Sequence, residues 1–259
     1  MFNNIFVKTI IMVLIIGIIV GIFVRLNYYE NMDINMVSLE NNKYGKYIVP
    51  THHNRPVTES LKNGDVWEEN TINFILNNHN NLPIITAGTY IGDFLPAFRK
   101  IPVVYAFEPV PENYKYALLN KILNDLDNVN LENLCLSDNN GKLRMVTSRN
   151  DIALGGGSMV TSKVDNDNVE VASVKLDDYF RKDKPNIGII HLDVENHETE
   201  VLDGSMETIE RCKPIIIVET KPDVRVENLL EKLGYKYYDK ELDANKILYI
   251  ESNHKLNML

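Results

Sequence analysis

Residues 84–113 read IITAGTYIGDFLPAFRKIPVVYAFEPVPEN. The apolar run Leu82-Pro83-Ile84-Ile85 has no polar alternation, and Val103-Val104-Tyr105-Ala106-Phe107 repeats the pattern. Strands covered on both faces of a parallel sheet read this way. A glycine turn and a short helix between the two runs complete a βαβ unit, whose crossover is right-handed and whose ligands gather at the carboxyl ends of its strands. The chemistry is therefore expected at Thr86 to Gly92 and at Glu108. Gly88 and Gly92 stand where a chain leaving a strand turns sharply and where a ligand must approach the backbone. Glu108 ends the second strand, where a carboxylate is placed to accept two hydrogen bonds from a ribose diol. Taken singly, each of these residues also fits a plain tight turn or a solvated strand end; the combination is more specific than its parts.

Working outward, Trp67 to Leu76 shows apolar residues at helical spacing and is expected to cover one edge of a sheet that begins at Leu82. Pro111 to Leu126 supplies a second crossover helix, with Pro111 in its first turn and Tyr114, Ala117, Leu118 and Ile122 on one face. Val129 to Leu136 reads as the third strand, and Lys142 to Thr147 as part of a hairpin after a turn cluster. Gly155-Gly156-Gly157-Ser158 is too glycine-rich for regular structure and reads either as a loop near a ligand or as a plain connection. Val169 to Leu176 alternates as a strand, and Ile187 to Leu192 is an apolar strand closed by Asp193. A helix from Glu198 to Arg211, a strand from Ile215 to Val218 ending at Glu219, and a helix from Val226 to Leu233 stopped by Gly234 follow. Tyr235 to Tyr238 and Lys246 to Ile250 read as two short closing strands.

The amino-terminal part differs in character. Ile5 to Val24, IFVKTIIMVLIIGIIVGIFV, is interrupted only by Lys8 and matches the roughly 20 residues a membrane-spanning helix needs. No small-x-small cleavage site follows it; Arg25-Leu26-Asn27-Tyr28-Tyr29 reads as an interfacial anchor instead. Residues 27–56 are polar and Asn-rich and read as a tether, ordered from Tyr44, ahead of a domain over 57–259. The chain has no Asn-x-Ser/Thr acceptor, and its cysteines, Cys135 and Cys212, are isolated, which favours the cytosolic side for that domain. The net charge of -9 and the absence of a basic stripe argue against a nucleic-acid partner.

Three blocks then carry a family resemblance: Ala87-Gly88-Thr89-Tyr90-Ile91-Gly92-Asp93, Ala106-Phe107-Glu108-Pro109-Val110-Pro111-Glu112-Asn113, and His191-Leu192-Asp193-Val194-Glu195-Asn196-His197-Glu198. With Leu136-Ser137-Asp138, Leu176-Asp177 and Lys213-Pro214, they make residues 67–251 resemble the FkbM-type methyltransferases. The resemblance implies an α/β fold, a Rossmann-like class I methyltransferase sandwich with a mostly parallel seven-stranded sheet and antiparallel C-terminal strands, here preceded by one transmembrane helix. It implies S-adenosyl-L-methionine as cofactor, held by Thr86, Gly88, Tyr90, Gly92, Glu108, Ser137 and Asp138. It also implies methyl transfer to a hydroxyl of a small molecule or glycan, with Asp193 and His197 as candidate bases and Glu195 as an orienting carboxylate. No metal is assigned: two carboxylates with one intervening residue, Asp193 and Glu195, are weak evidence for a bridged divalent ion, and metal dependence stays open on the residues alone.

The family usually has an acidic residue at Thr86, Asn at Tyr90, Lys at His191 and Gly at Asn196. Within its apolar strand, His191 reads as a buried neutral histidine with satisfied nitrogens. Two alternatives stay open on the residues alone. One is an NAD-dependent oxidoreductase, although Gly88-x-x-x-Gly92 lacks the first pair of the G-x-G-x-x-G fingerprint. The other is a tethered module that keeps the fold without the chemistry.

Overall fold

The computed structural model describes residues 37–149, 152–162, 168–238, 242–243, 245–250, 253–254 and 256. The apolar run at 5–24 lies outside the described residues, and among those described no helix is long and apolar enough to cross a membrane.

In chain order the elements are β1 (Val37–Asn41), β2 (Lys46–Pro50), α1 (Pro56–Lys62), α2 (Glu69–Asn78), β3 (Ile84–Ala87), β4 (Val104–Phe107), α3 (Pro111–Leu123) and β5 (Val129–Glu132). Then come β6 (Cys135–Leu136), β7 (Gly141–Val146), β8 (Ser148–Arg149), β9 (Ile152–Ala153), β10 (Met159–Thr161), β11 (Asn168–Val174) and α4 (Leu176–Tyr179). The chain closes with β12 (Ile189–Leu192), α5 (Glu198–Asp203), α6 (Met206–Cys212), β13 (Ile215–Val218), α7 (Val224–Lys232), β14 (Lys236–Tyr237) and β15 (Lys246–Tyr249).

Seven strands form the main sheet in the order β14-β15-β13-β12-β3-β4-β5. Only β15 runs against the others, pairing antiparallel with both β13 and β14. Alternate residues of each strand enter opposite layers. Ile85, Phe107, Ile190, Leu192 and Ile216 face one buried layer, while Ile84, Val104, Ala106, Ile189 and Ile217 face the other. That is why these strands carry no polar alternation. A smaller sheet, β10-β7-β11-β6, packs Val110, Cys135, Met145 and Val171 into a separate cluster.

Register decides where chemistry can sit. Leu192 pairs with Ala87 on one side and Val218 on the other, and Ala87 pairs with Phe107. The next residues, Gly88, Glu108, Asp193 and Glu219, therefore form a row along one carboxyl edge. From β3 the chain builds outward through β4 and β5, then returns to build the other way through β12 and β13. The direction reverses between β3 and β12, where ligands of such sheets bind.

Several elements depart from the sequence expectation for identifiable reasons. The segment between β3 and β4 is a 3-10 turn, Leu95–Lys100, with Pro96 near its start. The expected third strand splits at Asn133, whose amide donates to the carbonyls of Glu108 and Pro109, so β5 and β6 join different sheets. The expected helix from Glu198 divides at Gly204, where a Cβ would stand 2.0 Å from the carbonyl oxygen of Ser137, and Ser205 bonds back to Val201. Of the segment read as a tether, residues 27–36 lie outside the described residues, and the described part from Val37 includes the β1–β2 pair, ahead of the expected Tyr44. On α3, Asn113, Tyr116, Ala117 and Asn120 are buried, whereas Ile122 is 55% exposed. The cause is polar: the Asn120 side chain accepts from Ile48 N at 2.6 Å and donates to Ile48 O and Ile91 O, and Asn124 binds both backbone groups of Lys46. Two asparagines thus hold β2 as a neighbouring strand would, satisfying backbone groups that burial would otherwise penalise.

Candidate active site

Glu108 is 3% exposed and closes β4. Its Oε2 accepts from Tyr90 N at 2.8 Å, and its Oε1 accepts from Val110 N at 2.9 Å and Asn113 Nδ2 at 3.3 Å. Burial pushes its carboxyl up to about 7, against the pull of these three donors. A carboxylate offers about four acceptor positions. Three are taken by the protein itself, so one on Oε2 stays open to a ligand, fewer than the two a ribose diol was expected to use.

Two clefts open at this edge. The first is lined by Gly88, Phe107, Glu108, Leu134, Leu136 and Met145 among others and has a largely apolar wall. The second is lined by the acidic residues Glu68, Asp93, Asp193, Glu195 and Glu219 and, among the described residues, by one cation, Arg55. Gly88, Tyr90, Gly156, Asp193 and Glu195 line both clefts and form the partition between them.

The partition is tightly built. At Gly88, φ is +80° and a Cβ would stand 1.6 Å from the carbonyl oxygen of Asp193. Tyr90 has φ 48°, and Glu195 and Asn196 have φ 52° and 69°; such left-handed backbone in non-glycine residues clusters at functional loops. The Tyr90 hydroxyl lies 2.7 Å from His53 Nδ1, and its ring packs under the turn Gly155–Gly157, where a Cβ on Gly156 would stand 3.2 Å from the ring. The glycine run expected to lack regular structure is this buried 3-10 turn, and its Gly156 borders both clefts.

In the second cleft, burial and the neighbouring Glu219 hold the Asp193 carboxyl well above the usual range. Burial pushes Asp93 up to about 7, and burial followed by Glu219 raises Glu195, against the Arg55 guanidinium whose Nη2 lies 3.6 Å from Glu195 Oε1. His191 stacks on Phe94 with ring centroids 5.5 Å apart, and its Nδ1 lies 3.1 Å from Thr86 Oγ1. Burial lowers it to about 4, so the ring is neutral. Only one nitrogen has a partner among the described residues, however: Nε2 is buried without one and belongs to a residue that lines this cleft.

The family profile described as Methyltransferase FkbM domain matches residues 86–237. The chain belongs to this family. Among solved structures, similar folds include the FkbM methyltransferase of Methylobacillus flagellatus, at 15% identity and a TM-score of 0.45 over 65% of this chain and 43% of that one. This chain therefore spans less than half the length of that relative. A SAM-dependent methyltransferase of Aquifex aeolicus gives 15% identity and a TM-score of 0.40 over 75% of this chain and 91% of that one. M. jannaschii TYW2 in complex with AdoMet gives 14% and 0.39 over 82% and 83%. No curated protein matches the sequence.

The expected site residues of this FkbM domain distribute unevenly over the geometry. Gly88, Tyr90 and Glu108 border the first cleft, and Gly92 lies behind it against Leu95 and Ala117. Thr86 borders the second cleft with His191. Ser137 and Asp138 line neither cleft, where Leu134, Cys135 and Leu136 form the wall instead. Their hydroxyl and carboxylate contact each other, and Ser137 Oγ lies 3.0 Å from His197 Nε2. His197 itself borders the first cleft, with Nδ1 3.4 Å from Glu200, and burial lowers its proton affinity against Glu200 and Asp138. Asp193 and Glu195 reach both clefts. Asp93 and Glu219 were not assigned roles from sequence, although Glu219 follows an apolar strand as Glu108 and Asp193 do. Arg55 and Glu68 arrive from outside the matched region with no strand-end signal.

Proposed function

We propose that the chain is a membrane-tethered, S-adenosylmethionine-dependent O-methyltransferase acting on a hydroxyl-rich small molecule or carbohydrate. The observation that carries this reading is the row Gly88, Glu108 and Asp193 at the reversal point of the sheet, with Asp193 shared between an apolar cleft and an acidic one. The first cleft suits the cofactor in two respects: Glu108 keeps an acceptor position open, and the wall beside it is largely apolar. When bound, S-adenosylmethionine supplies a methyl group on a positively charged sulfur.

The remaining chemistry belongs to the protein. Carboxylates accept hydrogen bonds from hydroxyls, so an acidic second cleft favours an acceptor rich in them. Asp193, with its raised proton affinity, takes the proton from the reacting hydroxyl, while Glu195 and Arg55 orient the acceptor.

Calorimetry on the full chain tests the reading: S-adenosylmethionine should bind one per chain and NAD should not. Glu108→Gln, which keeps the shape and loses the charge, should weaken S-adenosylmethionine about 10- to 100-fold, as expected for a hydrogen bond to a charged group. Equal affinity in the variant, or binding of NAD alone, would overturn it. Retained cofactor binding without transfer to any polyol or sugar would favour a module that keeps the fold without turnover.

For the tether, the support is the apolar run 5–24 with its Arg25 and tyrosine flank. The full chain should sediment with membranes through a carbonate wash, with its domain open to protease from the cytosolic face. Release by that wash would exclude a spanning anchor.

A further inference from the structure

We propose that His52, His53 and Glu112 form a binding site for one divalent transition-metal ion of the zinc class, outside both clefts but joined to their partition through Tyr90. Each of the three residues offers one ligand atom, and these atoms lie within 4.8 Å of one another. Around a tetrahedral zinc with bonds of about 2.0–2.1 Å, ligand atoms stand about 3.3 Å apart. The adjustment is small, and Glu112, half exposed at the start of α3, is free to make it.

The decisive feature is His53. It is 1% exposed, and its Nε2 is buried with no hydrogen-bond partner among the described residues. A buried polar atom left unpaired costs desolvation with no return, and a native protein rarely keeps one without a use. A metal ion would accept that lone pair. The other ring nitrogen, Nδ1, is already held by the Tyr90 hydroxyl at 2.7 Å, the kind of outer contact that orients a metal-bound imidazole. His52 packs edge-on against His53 with ring centroids 4.4 Å apart, and its Nε2 lies 2.9 Å from Glu112 Oε1. Glu112 Oε2 in turn lies 4.0 Å from His53 Nε2.

The donor set narrows the ligand. Two imidazoles and one carboxylate suit zinc and its neighbours, whereas magnesium and calcium prefer sites built wholly of oxygen. Three protein ligands leave a fourth position for water. An ion here would pin the loop between β2 and α1 to the first turn of α3 and, through His53, fix the ring of Tyr90 in the partition.

The test is zinc titration of the metal-stripped full chain against a chromophoric chelator, with cobalt as an optical probe. One zinc per chain and the visible absorption of four-coordinate cobalt are expected, with no competition from a large excess of magnesium. Glu112→Gln and His53→Gln should each weaken zinc by about 100-fold, since even loss of an outer contact costs 10- to 100-fold. Tyr90→Phe, which removes only such a contact, should cost about tenfold. His79→Gln and His254→Gln serve as controls and should leave affinity unchanged. Glu112 is exposed, so its variant keeps the fold even if the buried His53 variant does not. Zinc binding that survives Glu112→Gln undiminished, or no binding by the parent, overturns the proposal.

Discussion

Gly88→Ala is expected to destabilise the fold by more than about 4 kcal/mol and to abolish cofactor binding. The left-handed φ of +80° alone would cost an alanine about 1 kcal/mol. The larger part is steric: the new Cβ would lie 1.6 Å from Asp193 O and 2.7 Å from its carbonyl carbon. Both are backbone atoms, and no rotamer change relieves the contact. Asp193 N donates to Ala87 O at 3.0 Å and Gly88 N donates to Phe107 O at 3.0 Å, so the segment cannot swing away without breaking ladder bonds on both sides. Gly92→Ala makes a useful comparison. There φ is +76°, but the nearest atom is the movable Leu95 Cδ1 at 3.0 Å, followed by Ala117, so a loss of about 1–2 kcal/mol is expected. Urea denaturation of the two variants checks the order. A Gly88→Ala protein as stable as the parent would mean that β3 and β12 do not meet as described.

The strands and the acids that follow them were legible because buried parallel strands leave a sequence mark that needs no partner to interpret. Ile84-Ile85, Val104 to Phe107 and Ile189 to Leu192 are apolar on both faces, so the positions of Gly88, Glu108 and Asp193 followed from the strand ends. What escaped depends on contacts between distant segments. The break at Gly204 is set by the carbonyl of Ser137, sixty-odd residues earlier in the chain, and nothing local announces it. Asn120 was invisible as a buried residue because it is polar; its value lies in the backbone of β2 that it satisfies. Likewise the open nitrogen of His191 follows from what stands beside the strand, Thr86 on one side and, among the described residues, no partner on the other. Arg55 and Glu68 enter the acidic cleft from the positions just before α1 and α2, which carry no site motif of their own.

Asp193→Asn is expected to lower kcat about 1,000-fold, within the range for removing a general base, while S-adenosylmethionine affinity changes far less. Asparagine keeps the shape and loses the proton acceptor. The pH dependence separates this role from a structural one. Because burial and Glu219 hold the Asp193 proton at higher pH than usual, the parent enzyme should gain activity as pH rises through that ionisation and then level off. Glu219→Gln removes a negative neighbour, which makes the ionised form of Asp193 easier to reach, so the rising limb should move to lower pH. The plateau should fall modestly, since a less basic carboxylate accepts a proton less readily. A residue that only supported the β12 end would give the opposite pattern, with stability lost in Asp193→Asn and no displacement of the limb in Glu219→Gln. Unchanged turnover in Asp193→Asn would remove Asp193 as the base and leave Asp93, a carboxylate of the same cleft that burial pushes up to about 7, as the next group to test.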